Sequence, residues 1–145
     1  GARKVEAIET TDRLVEVISR AIPASKRPRQ IHPATRTFQA LRLAVNRELD
    51  HLRTFLQGVL DWLRPGGRLA IISFHSLEDR LVKQTFANWA RSCRCPARSP
   101  ICQCEGRPLA QLVSKKVVVP GKLEIEANPR ARSARLRAVE KLEVP

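Results

Sequence analysis

The chain has 145 residues, 27 Lys+Arg against 14 Asp+Glu for a formal net charge of +13, and 43% hydrophobic and 28% charged residues. That length holds one domain at most, and that apolar share supports a folded, soluble body and excludes a disordered basic tail. No run approaches the roughly 18 apolar residues of a membrane span, so the excess of Lys and Arg points to an anionic partner, nucleic acid ahead of a membrane surface.

The chain contains no Met, so it does not begin at a translation start: either an initiator was removed ahead of Gly1 or this is a piece of a longer protein. Gly1 to Glu9 lacks the continuous apolar core of a signal peptide, which predicts a cytoplasmic protein. In that reducing compartment the four cysteines read as thiols or metal ligands before disulfides.

In chain order, Leu14, Val15, Val17, Ile18, Ala21 and Ile22 recur at helical spacing, with Asp12 suited to the first turn and Pro23 as a stop, predicting a short amphipathic helix over 11–22. Pro23 to Pro33 reads as a basic linker. A long helical pattern from about Ala34 to Leu63 follows, stepping through Phe38, Leu41, Val45, Leu49, Leu52, Leu56 and Val59. Thr35 or Thr37 is suited to cap it, and Arg64-Pro65-Gly66-Gly67 ends it. Arg68 to Ser73 (RLAIIS) is a nearly continuous β-branched run, which predicts a strand buried on both faces of a parallel sheet. Ser76 and Asp79 have the spacing of a capping box, and Leu77, Leu81, Val82, Phe86 and Trp89 carry the helix onward. Helix, strand and helix alternate, which is an α/β pattern. In such sheets ligands sit beyond the carboxyl ends of strands, so Ser73 to Arg80 is where chemistry is expected. Leu112 to Val119 reads as a further strand, and Arg132 to Val139 as a last one after the turn Asn128-Pro129.

Three constellations stand out. Cys93, Cys95, Cys102 and Cys104 form two C-x-C pairs; four thiolates closing on one point suit a structural Zn²⁺ in a loop without its own core, free thiols stand level with that reading, and a disulfide is third. Ser73-Phe74-His75-Ser76-Leu77-Glu78-Asp79-Arg80 gathers a His, acids and an Arg at a strand-to-helix corner. A hydrolase built on Ser76 and His75 is disfavoured, because adjacent side chains rarely face each other and no G-x-S-x-G elbow is present. His75, Glu78 and Arg80 are the better candidates for substrate contact, while Ser76 and Asp79 read as helix caps. Finally, Arg130, Arg132, Arg135 and Arg137 lie close together, with Arg135 and Arg137 on one face of a strand where they would line a phosphate backbone, or merely protect a sheet edge. Arg36 sits at the start of the long helix, where it would meet an anion. With 4% aromatics and no Tyr, base stacking is not the dominant mode of nucleic-acid binding.

HPATRTFQALRLAVNREL (His32 to Leu49), LRPGGRLAIISFHSLEDRLVK (Leu63 to Lys83) and NPRARSARLRAVEK (Asn128 to Lys141) resemble, in this order, the C-terminal half of the RsmH (MraW) family. The resemblance runs from about Ile8 to Lys141. It implies an S-adenosyl-L-methionine-dependent enzyme that methylates N4 of a cytidine in 16S rRNA of the small ribosomal subunit. It also implies the C-terminal part of a class I methyltransferase, an α/β Rossmann-like sheet, with part of an inserted helical domain. On that model residues 1–50 belong to the helical, RNA-recognising insertion, and 51–145 to the sheet with a Cys-rich loop at 91–107. The strand 68–73 is then the fifth of the sheet, and the last two strands are its antiparallel edge.

The family's Gly-rich cofactor turn, ribose-holding acid and Asp-Leu-Gly-type loop have no counterpart in this sequence. S-adenosyl-L-methionine is therefore not expected to bind this chain alone, and what the resemblance leaves is the substrate side: His75, Glu78 and Arg80 at the cytidine, and Arg36, Arg130, Arg132 and Arg135 on RNA. No membrane partner is expected, and a homodimer is left open. The competing reading is a non-catalytic basic RNA-binding module stapled by zinc; tight cofactor binding by these residues alone would sink the fragment reading.

Overall fold

The computed structural model describes residues 6–26, 31–93, 95, 101 and 106–143. It divides into two compact units, Gly1–Glu48 and Leu49–Pro145. In the first, α1 (Thr11–Ala21) is capped by Thr10, whose Oγ1 accepts from the Arg13 N–H at 3.2 Å. A 3₁₀ turn, Ala24–Lys26, follows. Helix α2 (Thr35–Asn46) starts at Ala34 with no side-chain cap. Thr35 and Thr37 lie inside the helix, and the preceding turn is held by His32, whose Nδ1 accepts from the Ala34 N–H at 3.2 Å.

The single long helix predicted for 34–63 is two. Arg47 takes a left-handed conformation (φ 51°) and α3 restarts at Glu48, running to Trp62. Around the break, Glu48 accepts from Arg42 and from the Asn46 amide. The apolar spacing continues across the break, which is why periodicity does not reveal it.

The second unit is α/β. Strand β1 (Arg68–Ser73), β2 (Ala110–Leu112) and β3 (Arg135–Lys141) form one sheet in the order β1–β3–β2, and both pairings are antiparallel. The antiparallel edge that the resemblance implies for the last two strands is thus present, and the parallel pairing expected of β1 is not found among the described residues. Nor is β1 buried on both faces. Leu69, Ile71 and Ser73 turn towards the core, whereas Arg68, Ala70 and Ile72 are exposed, Ile72 at 57%. The predicted strand 112–119 shrinks to β2 plus an isolated bridge between Val118 and Leu136. Between them Ser114 to Lys116 loop out, with Ser114 Oγ donating to the Lys116 carbonyl at 2.8 Å. Two short elements were not anticipated: α5 (Lys122–Ala127), and a 3₁₀ turn over Pro129–Ser133 whose N-cap is Asn128. The final strand consequently begins three residues later than the pattern suggests.

The core lies between one face of this sheet and the helices α3 and α4 (Ser76–Trp89). Leu56 of α3, Val82 and Phe86 of α4, Ala110 and Val139 are buried together, with Leu52, Leu69, Ile71, Leu81 and Trp89 packed around them. The turn from α3 into β1 demands its glycines. Gly66 has φ +76°, and a Cβ on Gly67 would fall 2.8 Å from the Arg64 carbonyl oxygen. Backbone hydrogen bonds from Gly66 N to Lys141 O and from Lys141 N to Gly67 O, both 2.8 Å, tie this turn to the end of β3. Lys141 also donates its Nζ to the carbonyls of Leu60 and Leu63 at the end of α3, each at 2.8 Å. A cation there satisfies orphan carbonyls and the negative end of the helix dipole. Lys141→Met is expected to cost about 2 kcal/mol in urea unfolding; a loss indistinguishable from zero would show that water replaces the cap.

Candidate functional site

At the carboxyl end of β1 the chain turns through Phe74 and His75 into α4. His75, in an extended conformation, is the N-cap of α4. Its Nδ1 accepts from the Glu78 N–H at 3.2 Å, and Glu78 Oε2 accepts in return from the N–H of Phe74 at 3.1 Å and of His75 at 3.4 Å. The capping box is thus His75/Glu78, one residue earlier than the Ser76/Asp79 pair read from spacing. A backbone N–H can only donate, so Nδ1 carries the lone pair and Nε2 the proton. That Nε2 lies 3.3 Å from Glu78 Oε1 but out of alignment, and is the one buried side-chain polar atom without a hydrogen-bond partner among the described residues.

Freed from capping, Asp79 does something else. It falls in helical phase with Val82 and Phe86, on the buried face of α4, and is 7% exposed. The facing strand answers it: Arg137 reaches its two oxygens at 2.7 and 3.2 Å, and Arg135 lies 3.6 Å away. The hydrogen bond from Arg137, with the charges of Arg137, Arg135 and Lys83, outweighs burial and holds the Asp79 carboxyl below its ordinary value. Arg137 is therefore engaged internally. Arg135, half exposed, pairs more loosely with the same carboxylate at 3.6 Å and leaves part of its side chain open to water.

An open cleft of about 360 Å³ occupies this corner. Phe74, His75 and Ser76 line one side, Arg132 to Arg135 the other, with Val119 between them. A smaller, mainly apolar hollow of about 130 Å³ adjoins it, sharing Val119 and Ala134 and reaching Ile72 and Leu136. Phe74 is 56% exposed, and among the described residues no carboxylate lines the larger cleft. The arrangement can hold an anion on Arg132 and Arg135 while a flat ring meets Phe74.

Of the residues singled out from sequence, the structure brings His75, Arg132 and Arg135 together. Glu78 is turned back onto the backbone, Arg80 sits on the exposed surface of α4, and Arg130 is exposed in the 3₁₀ turn without lining the cleft. Arg36 is exposed in the first turn of α2, in the other unit. Cys93 is exposed and Cys95 half-buried; Cys102 and Cys104 lie outside the described residues, so their expected cluster does too. Among the described residues no helix is long and apolar enough to cross a membrane. Phe74, Ser133 and the Asp79–Arg137 pair were not picked out in advance. For the pair a signal existed: an acid in phase with Val82 and Phe86 has to be buried, and a buried acid needs a cation.

Residues 1–142 match the model of the MraW methylase family. The chain is 56% identical over 143 residues to a protein of Syntrophobacter fumaroxidans named ribosomal RNA small subunit methyltransferase H, covering 99% of this chain and 45% of that protein. It is 59% identical to the protein of that name from Symbiobacterium thermophilum, covering 98% and 45%, and 55% identical to that of Natranaerobius thermophilus, covering 97% and 45%. It thus spans less than half the length of these curated relatives. A match over 1–142 takes in the β1–α4 corner, the cleft and all three strands alike, and on that breadth the chain belongs to the MraW methylase family.

Proposed function

We propose that this chain forms the RNA-facing side of a class I, S-adenosyl-L-methionine-dependent methyltransferase that modifies N4 of a cytidine in 16S rRNA. The observation that carries this reading is the cleft beyond β1, where Phe74, His75, Arg132 and Arg135 converge in a family whose relatives are named for ribosomal RNA methylation. Its volume falls within the range of small-ligand sites. Arg132 and Arg135 would hold the phosphates flanking the target nucleotide, and Phe74 would stack on the base turned out of its helix. On this reading α1 and α2, with Arg36, belong to the helical insertion that receives the RNA.

The cofactor supplies the methyl group. The described residues of this chain do not fit it: the β1–α4 turn holds no glycine for close backbone approach, and the two carboxylates of the first turn of α4, Glu78 and Asp79, are already engaged. The part played by this chain is to bind and orient RNA.

Arg132→Gln/Arg135→Gln is expected to weaken binding of a cytidine-bearing single-stranded RNA and to flatten the slope of log affinity against log salt by about 1.4, at roughly 0.7 per lost phosphate contact. Phe74→Ala should cost about 1–3 kcal/mol of binding without changing that slope. Fluorescence anisotropy across a salt series measures both. An unchanged slope in the double variant would refute the phosphate-holding role.

A further inference from the structure

Helix α4 has a second face. Opposite Asp79, Val82 and Phe86, the residues Arg80, Lys83, Gln84 and Asn88 are exposed in one stripe, continued by Arg91 just past the helix end. The sequence carries no acidic residue between Asp79 and Glu105. Two hollows lie along this stripe. One, of about 350 Å³, is lined by Lys83, Gln84, Ala87, Asn88 and Arg91. The other, of about 100 Å³, is bordered by Lys83 and Ala87 again and by Ser114 and Lys115 of the looped-out segment after β2. The two share Lys83 and Ala87 and are together called the trough. Among the described residues no carboxylate lines either half.

Cations ordinarily alternate with acids on a protein surface. Lys83, Arg91 and Lys115 instead line hollows whose other polar groups are Gln84, Asn88, Ser114 and Arg137, over an apolar floor that includes Phe86 and Leu112, so each cation raises the potential felt at the others. Lys83 lies about 9 Å along the helix axis from the end of α4 at Trp89 and Arg91 lies beyond that end, a span that suits successive anionic groups of a polymer. A membrane surface is the poorer fit, because an interfacial helix needs a row of exposed apolar side chains to insert, and on this face of α4 Leu77 is the one large exposed apolar residue.

We infer that this trough grips the phosphate backbone of the RNA about one helix length from the nucleotide held in the cleft. The inference rests on the RNA-facing reading above. It assigns Lys83, Arg91 and Lys115 to backbone contact, with the amides of Gln84 and Asn88 donating to phosphate oxygens.

The test compares this chain with the variant Lys83→Gln/Arg91→Gln/Lys115→Gln, and with Arg53→Gln/Arg64→Gln/Arg107→Gln, which removes the same charge elsewhere. The probes are an RNA hairpin with a cytidine-bearing loop and that loop as a free oligonucleotide. Anisotropy should show the trough variant losing about tenfold or more in hairpin affinity and about 2 to 3 from its salt slope, with the loop oligonucleotide and the control variant within about twofold of wild type. Hairpin binding like wild type in the trough variant overturns the inference and leaves the cleft reading standing. Equal losses in the control reduce it to bulk charge and overturn it as well. A variant that keeps hairpin binding but loses binding to phosphatidylglycerol vesicles refutes it in favour of a lipid surface. If Arg132→Gln/Arg135→Gln changes nothing while the trough variant loses hairpin affinity, the cleft reading fails and the trough stands. Wild-type chain that binds neither probe overturns both.

Discussion

Asp79→Asn is expected to destabilise the second unit by about 3–5 kcal/mol, because it removes one partner of a buried ion pair and leaves Arg137 charged in the protein interior. Arg137 is only 17% exposed, with its guanidinium on both oxygens of Asp79. Replacing both residues by apolar side chains, Asp79→Leu with Arg137→Met, should recover most of that loss, since a buried pair and a well-packed apolar pair are often close in stability. Urea unfolding of the two variants decides the matter: a double variant as unstable as the single one would show that the pair stabilises by more than neutralising its own burial. The pH dependence has a definite sign. Asp79 is held below its ordinary value of 3.8 in the folded protein, mainly by the hydrogen bond from Arg137. Its contribution is therefore complete above about pH 4 and is lost as the pH falls through the lower folded value. The stability gap between wild type and Asp79→Asn should narrow on acidification over that window. Glu140, lowered by hydrogen bonds from Arg68 and Gln111, follows the same sign, but this pair is more open to water and screened accordingly.

Phe86→Ala should have an effect of similar size, about 3–5 kcal/mol. Phe86 is 1% exposed, touches both the helix layer and β3 through Leu56, Val82 and Val139, and stacks on Trp89 with ring centroids 5.4 Å apart. Truncation opens a cavity and removes the aromatic pairing, itself about 0.5–1.5 kcal/mol. Phe86→Leu, which keeps most of the volume, should cost less than about 1.5 kcal/mol. For a unit of this size each kcal/mol lowers the thermal midpoint by roughly 4–8 °C, so calorimetry separates the two variants readily. Equal shifts for Ala and Leu would point to the ring stacking, not the cavity, as the dominant loss.

These two residues also show what a sequence can and cannot reveal. Val82 and Phe86 announce their burial through helical spacing, and RLAIIS announces a strand through its β-branched run. Asp79 shares the phase of Val82, but in isolation an S-x-x-D pattern equally describes a cap, and only the extended backbone of His75 decides between them. Strand direction was less legible. A strand covered on both sides and one exposed on one side differ in what packs over Ala70 and Ile72, and no feature of RLAIIS encodes that. The break at Arg47 is hidden because a left-handed residue costs little where flanking polar side chains bridge it and the apolar phase continues. The cleft was half visible: the Ser73 to Arg80 corner follows from general α/β architecture, and the Arg cluster from its spacing. That Arg132 and Arg135 face Phe74 and His75, whereas Glu78 and Arg80 do not, depends on a register spanning more than sixty residues of chain, Ser73 opposite Arg135.

The order β1–β3–β2 places the last strand in the middle. Neither β1 nor β2 pairs with the other, and both wait for Arg135–Lys141. During synthesis, then, neither β1 nor β2 can make the pairing seen here until the ribosome has released the arginine-rich segment that supplies β3. The strand that completes the core also carries Arg135 into the cleft, so a chain interrupted before it would present neither a finished fold nor a partly working anion site.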